Sequence, residues 1–369
     1  MLNRLAPGCK YLLARRFSGK RNMDETNPFY KKPVTRRGFL KLGALTGGLS
    51  LIAAGRPQLF DAAQVSPPHP PAPDEMPMDG MAHGDFSGTV GDVDVSRFDP
   101  SEFLTTFDWG TETAGSDGTT TREWNVVAIE KEIEIAPGVF FPAWTFNGQV
   151  PGTTFRCREG DLLRFHFSNG TTHPHTIHFH GFHPPSMDGI EPIIQPGESF
   201  LYEFKARPFG VHPYHCHVMS LKKHIHKGLY GTLIIDPPQG RDPAHEMVMV
   251  MNAFDTTFDN ENEVYAVNTV AFHYMKHPIQ VRVGELVRIY LTNMTEFDLI
   301  NSFHLHASMF RLYRTGTSLD HFELTDTVIM GQGERAVLEF TLDDPGRYMF
   351  HAHQSEFAEL GWTGFFEAS

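Results

Sequence analysis

A chain of 369 residues that is 40% hydrophobic and 12% aromatic has apolar material for two ordinary cores, which excludes a disordered polymer and predicts two globular domains. Its 31 Lys and Arg against 44 Asp and Glu give a formal charge of −13, and the first 63 residues hold 12 of the basic groups but 3 of the acidic ones. The remainder is strongly acidic, which argues against nucleic acid and anionic membranes as partners and favours cations, reduced metal ions among them.

Residues 1–63 read as an export region. Thr35-Arg36-Arg37-Gly38-Phe39-Leu40-Lys41 precedes a weakly apolar run from Leu42 to Ala54, the pattern of a twin-arginine signal, and the run is shorter than the roughly 20 residues a membrane span takes. Cleavage is expected between Ala54 and Gln64, Met23 is a reasonable alternative start, and the mature chain is expected to be periplasmic or secreted without a membrane span. Residues 64–94, with Met76-Pro77-Met78-Asp79-Gly80-Met81-Ala82-His83 at their centre, read as a flexible linker whose thioethers and imidazole suit cuprous copper. Removing the leader removes Cys9. Cys157 and Cys216 alone are too few for a disulfide framework; Cys157 reads as a core residue, whereas Cys216 lies between His215 and His217 and invites a metal.

Beyond residue 95 short alternating runs, such as Leu163-Arg164-Phe165-His166-Phe167, Val287-Arg288-Ile289-Tyr290-Leu291 and Leu338-Glu339-Phe340-Thr341-Leu342, predict strands with one apolar face. Gly197-Glu198, Phe204, Gly210 and His215-Cys216-His217 recur 136 residues later as Gly333-Glu334, Phe340, Gly346 and His351-Ala352-His353. The duplication predicts an all-β chain of two β-sandwich domains, 95–240 and 241–369, with the boundary near Pro237 to Asp242.

Four His-X-His pairs stand at repeated places: 178/180, 215/217, 304/306 and 351/353. On a strand, residues two apart share a face, so eight imidazoles are presented pairwise, which is hard to explain without metal. Cys216 and His175 have the opposite parity and enter the interior of the first domain. A blue-copper geometry takes two histidines, one cysteine and a weak axial group, and His224 with either Leu229 or Met219 completes it. Asn301 and Ala352 occupy the equivalent positions in the second half, which therefore lacks this site.

The segments His175-Thr-Ile-His-Phe-His-Gly181, His215-Cys-His217, His224-Ile-His-Lys-Gly-Leu229, His304-Leu-His306 and His351-Ala-His353, with Asn147-Gly-Gln-Val-Pro-Gly152 upstream, resemble the multicopper oxidases of the laccase type. In particular they resemble two-domain enzymes with type 1 copper in the first domain only. The resemblance implies two cupredoxin-like Greek-key β-sandwich domains, a homotrimer, and four coppers per functional unit. It implies His175, Cys216 and His224 as type 1 ligands beside a non-ligating Leu229, His178 and His304 as type 2 ligands, and His180, His215, His217, His306, His351 and His353 as type 3 ligands. A longer gap after Cys216 leaves His226 as a rival to His224. Asp188 resembles the proton-relay carboxylate of that family, and Glu356 is a weaker candidate. The implied reaction takes electrons from a small reducing donor, phenolic, aromatic or a metal ion, and reduces dioxygen to water. A copper nitrite reductase is the alternative, though that resemblance calls for Asp where this chain has His178; a non-enzymatic copper-binding or electron-transfer protein would need no His pairs in the second half.

Overall fold

The computed structural model describes residues 92–369; the signal region and most of the linker lie outside the described residues. The first domain contains β1 (Thr111–Ala114), β2 (Thr120–Ala136), β3 (Val139–Phe146), β4 (Phe155–Arg158), β5 (Leu162–Asn169), β6 (His178–Phe179), β7 (Ser199–Lys205), β8 (Gly210–His215) and β9 (Tyr230–Asp236). One sheet runs β1-β2-β5-β7 with β3 alongside β2, and the other runs β4-β9-β8-β6. The second domain contains β10 (His245–Phe254), β11 (Val264–Val267), β12 (Ile279–Val281), β13 (Val287–Asn293), β14 (Ile300–Leu305), β15 (Phe310–Arg314), β16 (Glu323–Thr325), β17 (Thr327–Gly331), β18 (Arg335–Phe340), β19 (Gly346–His351) and β20 (Thr363–Ala368). Its sheets run β11-β10-β13-β18-β15-β16 and β12-β20-β19-β14-β17. Both domains are cupredoxin-like β-sandwiches, as the duplication predicts.

Alternation builds the first core. In β5 Leu163, Phe165 and Phe167 are buried while Arg164 and His166 face outward. Phe165 stacks on Trp124 at 4.7 Å and packs on Phe179 at 4.5 Å, and these rings seat β6 and β8 so that His178 lies opposite His215. In the second domain His304 of β14 lies opposite His351 of β19 in the same register.

The expected one-sided alternation fails in β13, where every residue is buried. The reason is a second interface. Tyr290 packs with Val337 and Tyr313 against Val211 and Ile234 of the first domain, while Arg288 joins a buried charge network. In it Arg156 Nε lies 2.8 Å from Asp236 and its Nη1 2.6 Å from Glu246, and Arg288 reaches Glu246 at 3.0 Å and Glu339 at 2.6 Å. The Tyr290 hydroxyl donates to Glu246 at 2.7 Å. A network this complete fixes how the two domains meet, because each buried charge has a partner.

Candidate metal centre

His175 follows β5 in a loop whose backbone bridges Ile194, Cys216 is the first residue after β8, and His224 sits on the short helix Leu221–His226. Their donors converge. Nδ1 of His175 and Nδ1 of His224 are 3.2 Å apart, and Sγ of Cys216 lies 3.2 Å from the latter and 3.7 Å from the former. Bonds of about 2.0 to 2.3 Å from one ion to N and S ligands produce separations of this size. The side chains are buried, and burial holds the imidazoles neutral, His175 at about 3 and His224 at about 4, which leaves nitrogen lone pairs for a metal. Burial pushes the Cys216 thiol up to about 11, and a bound metal would favour its thiolate by taking the proton's place. A soft thiolate between two imidazoles suits copper.

Two rival assignments separate in the structure. Met219 is 82% exposed, whereas Leu229 is fully buried in the cluster that contains Cys216, its carbonyl accepting from the Cys216 N–H at 3.0 Å. Gly228 makes that approach feasible: its φ is 110°, and a Cβ there would lie 2.5 Å from Val150 and 3.0 Å from the Trp144 carbonyl. His226 points away from the site and accepts a hydrogen bond from the Asp255 N–H at 2.9 Å. His224, not His226, therefore faces Cys216.

The His-X-His pairs gather at the strand ends rather than within strands, because β6 holds only His178 and Phe179 and β8 stops at His215. In the first domain Nε2 of His180 and of His215 are 3.1 Å apart, and the His178 ring lies 5.4 Å from that of His217. The second domain repeats this, with Nε2 of His306 and of His351 at 2.9 Å and the His304 ring 5.1 Å from that of His353. The supports repeat as well. Nδ1 of His178 meets the Asp188 carbonyl at 2.8 Å and Nδ1 of His304 meets the Asp326 carbonyl at 3.0 Å, leaving each Nε2 free to bind metal. Burial holds His180 down to about 2 and His215 to about 4. Among the described residues, no metal-competent group draws histidines from both halves, and His306 and His353 are exposed.

The Asp188 carboxylate lies 3.1 Å from Nδ1 of His178 and 3.6 Å from Nε2 of His183. Glu356 is exposed on the first turn of the helix Ser355–Glu359 that follows His353. Sequence reasoning missed three residues. Trp144 lays its indole against His224 at 4.9 Å and His175 at 5.3 Å. Thr176 Oγ1 accepts from the His217 N–H at 3.2 Å, and Ser302 Oγ does the same for His353 at 2.7 Å. The signal was present: Thr176 and Ser302 each stand two residues before the first histidine of a pair.

Hydrogen-bond register also reveals what fills the silent site of the second domain. The Cys216 N–H donates to Leu229 O, and the Ala352 N–H donates to Trp362 O; the Leu229 N–H donates to His224 O, and the Trp362 N–H to Phe357 O. Asn301, Ala352, Phe357 and Trp362 thus replace His175, Cys216, His224 and Leu229. The Trp362 indole N–H donates to Asn301 Oδ1 at 3.1 Å, so the position is packed shut.

The chain is similar to known proteins over both halves. Two family models, both described as multicopper oxidase, match residues 129–240 and 241–368. A solved structure described as a multicopper oxidase is 53% identical with a TM-score of 0.74, covering 75% of this chain and all of that one. The copper nitrite reductase of Nitrosomonas europaea is 26% identical with a TM-score of 0.63, over 68% of this chain and 94% of that one. The copper-containing nitrite reductase of Neisseria gonorrhoeae is 30% identical over 61% of this chain and 62% of its own length, so the chain spans about three fifths of that relative. With matched domains over both halves and a Cys-His site beside paired histidines, the chain belongs to the multicopper oxidase family.

Proposed function

We propose that this chain is an exported, laccase-like two-domain oxidase that takes single electrons from phenolic, aromatic or metal-ion donors and passes four of them to dioxygen, forming two waters. One observation carries the reading: two four-histidine half-sites of matching geometry, one of them joined through the backbone to the cysteine of a separate His-Cys-His site. His175, Cys216 and His224 would hold type 1 copper. His178 and His304 would hold type 2 copper, with type 3 copper on His180, His215, His217, His306, His351 and His353, four coppers per functional unit. Bound copper supplies a one-electron acceptor at the first site and multi-electron reduction of dioxygen at the second.

The chain's own residues do the rest. Cys216 is peptide-bonded to His215 and His217, giving a covalent route between the sites. Leu229 offers no donor atom and favours a high reduction potential. Asp188, whose carboxylate lies 3.1 Å from Nδ1 of His178, would serve as the proton relay. Exposed apolar side chains lie close to both half-sites along the chain, Phe182 and Ile190 after His180 and Met309 after His306, which supports completion of each cluster by another copy of the chain in a homotrimer.

The relatives named as nitrite reductases favour a second reading, nitrite reduction at a single copper on these histidines. Copper counting with oxygen uptake on a phenol separates the two. Four coppers per chain and water without peroxide support the oxidase, and two coppers with turnover of nitrite would overturn it. A trimer mass by light scattering checks assembly, and retention of an Arg36→Lys, Arg37→Lys precursor checks export.

A further inference from the structure

The face over His224 carries charge opposite to that of the whole molecule. The helix Leu221–His226 and its cap bear Lys222, Lys223 and Lys227, with no acidic residue in its first turn. Lys223 Nζ sits 5.1 Å over the ring of Trp144, the indole that lies 4.9 Å from His224. Lys222 Nζ lies over Phe297 at 5.5 Å, and Lys227 Nζ lies over Phe258 at 4.6 Å while donating to the Pro142 carbonyl at 2.6 Å. Among the described residues, none of the three has a carboxylate at ion-pair distance.

Glu130 and Asp255 act on Lys227 at a distance, but each spends its oxygens on hydrogen bonds to other groups. Glu130 accepts from the Thr172 N–H and hydroxyl and meets His173 at 3.3 Å. Asp255 accepts from the Thr257, Asp259 and Asn260 N–H groups. Burial raises the Glu296 carboxyl to about 7, which weakens it as a counter-ion to Lys222. Charges more than about 8 Å away are largely screened at physiological salt, so a donor that approaches the lysines covering the buried Trp144 ring meets positive charge before it meets the acidic remainder.

We infer that this lysine-rimmed face selects small anionic electron donors over cationic ones, in opposition to the net charge of the chain. The inference rests on the oxidase reading. Each donor loses one electron, and four electrons with four protons reduce one dioxygen to two waters.

Two size-matched complexes of opposite charge test it on the copper-loaded protein, hexacyanoferrate(II) and hexaammineruthenium(II). The kcat/KM for the first is expected to fall with added salt and that for the second to rise. In K222E/K223E the ratio of the two is expected to drop about tenfold, in keeping with electrostatic effects on association; a ratio is insensitive to the fraction of protein correctly folded. Redox-inert hexacyanocobaltate(III) gives a readout without turnover, with binding by calorimetry expected for the native protein and lost in the variant. Equal salt slopes with an unmoved ratio would overturn the inference, as would cobaltate binding that ignores the substitutions. If no donor supports oxygen uptake, the oxidase reading fails while cobaltate binding still decides the question of charge.

Discussion

The ring of His226, in the first domain, accepts a hydrogen bond from the backbone N–H of Asp255, in the second, at 2.9 Å. The helix that carries His224 is thereby braced from across the domain interface. His226→Phe keeps a ring of similar size among Phe141, Phe258 and Phe297 but leaves a buried N–H without an acceptor. The expected loss is about 1 to 3 kcal/mol, read by denaturant unfolding of the copper-free protein. An unchanged midpoint and slope would mean that the brace contributes nothing.

Leu229 and Met219 make opposite forecasts. Leu229→Met brings a thioether into the buried position beside Cys216, and the reduction potential of the first copper site should fall in a redox titration. Met219→Leu, at a position 82% exposed, should leave the potential where it was. The reverse pattern would reinstate Met219 as the axial residue.

Glu246 is the hub of the interdomain network, accepting from Arg156, Arg288 and Tyr290. Glu246→Ala removes the shared counter-charge from two buried guanidinium groups, and a loss of about 3 to 5 kcal/mol is expected from chemical denaturation. A loss below about 1 kcal/mol would show that the domains hold together without it.

Acid should destabilise the fold through histidines that lie outside the metal sites. Burial lowers His212 and His273 from 6.5 to about 4 in the folded chain. The unfolded chain takes up protons first as pH falls, so their contribution is complete above about pH 6.5 and is lost between there and about pH 4, at most about 3 kcal/mol for each. Thermal melts of the wild type and of His212→Gln and His273→Gln across this window check the sign. Variants that keep the full wild-type slope would remove these residues from the account.

Much of this was legible because repetition is a property of sequence. The 136-residue displacement pointed to two groups of paired histidines, which the structure gathers at matching strand ends, and strand parity separated Cys216 and His175 from the His-X-His pairs. Parity does not carry through loops, however, and only the structure shows His224 facing Cys216 while His226 accepts from the Asp255 N–H. Trp144 was missed because an aromatic in a strand reads as core until its neighbours are known. The one-sided reading of β13 failed because Arg288 and Tyr290, polar by composition, face a buried network built largely from another part of the chain. Trp362 and Phe357 escaped because the hydrogen-bond register pairs Trp362 with Leu229 and the constant displacement breaks down in that loop.

That indole makes the asymmetry between the domains hard to reverse. Asn301→His with Ala352→Cys would supply two ligands, yet Trp362, itself 1% exposed, would still fill the hole and Phe357 would stand where a third ligand is needed. A site here would need changes at all four of these positions together. In the oxidase reading proposed above, the second domain would then contribute histidines and stability only, and each chain would have one place for electrons to enter.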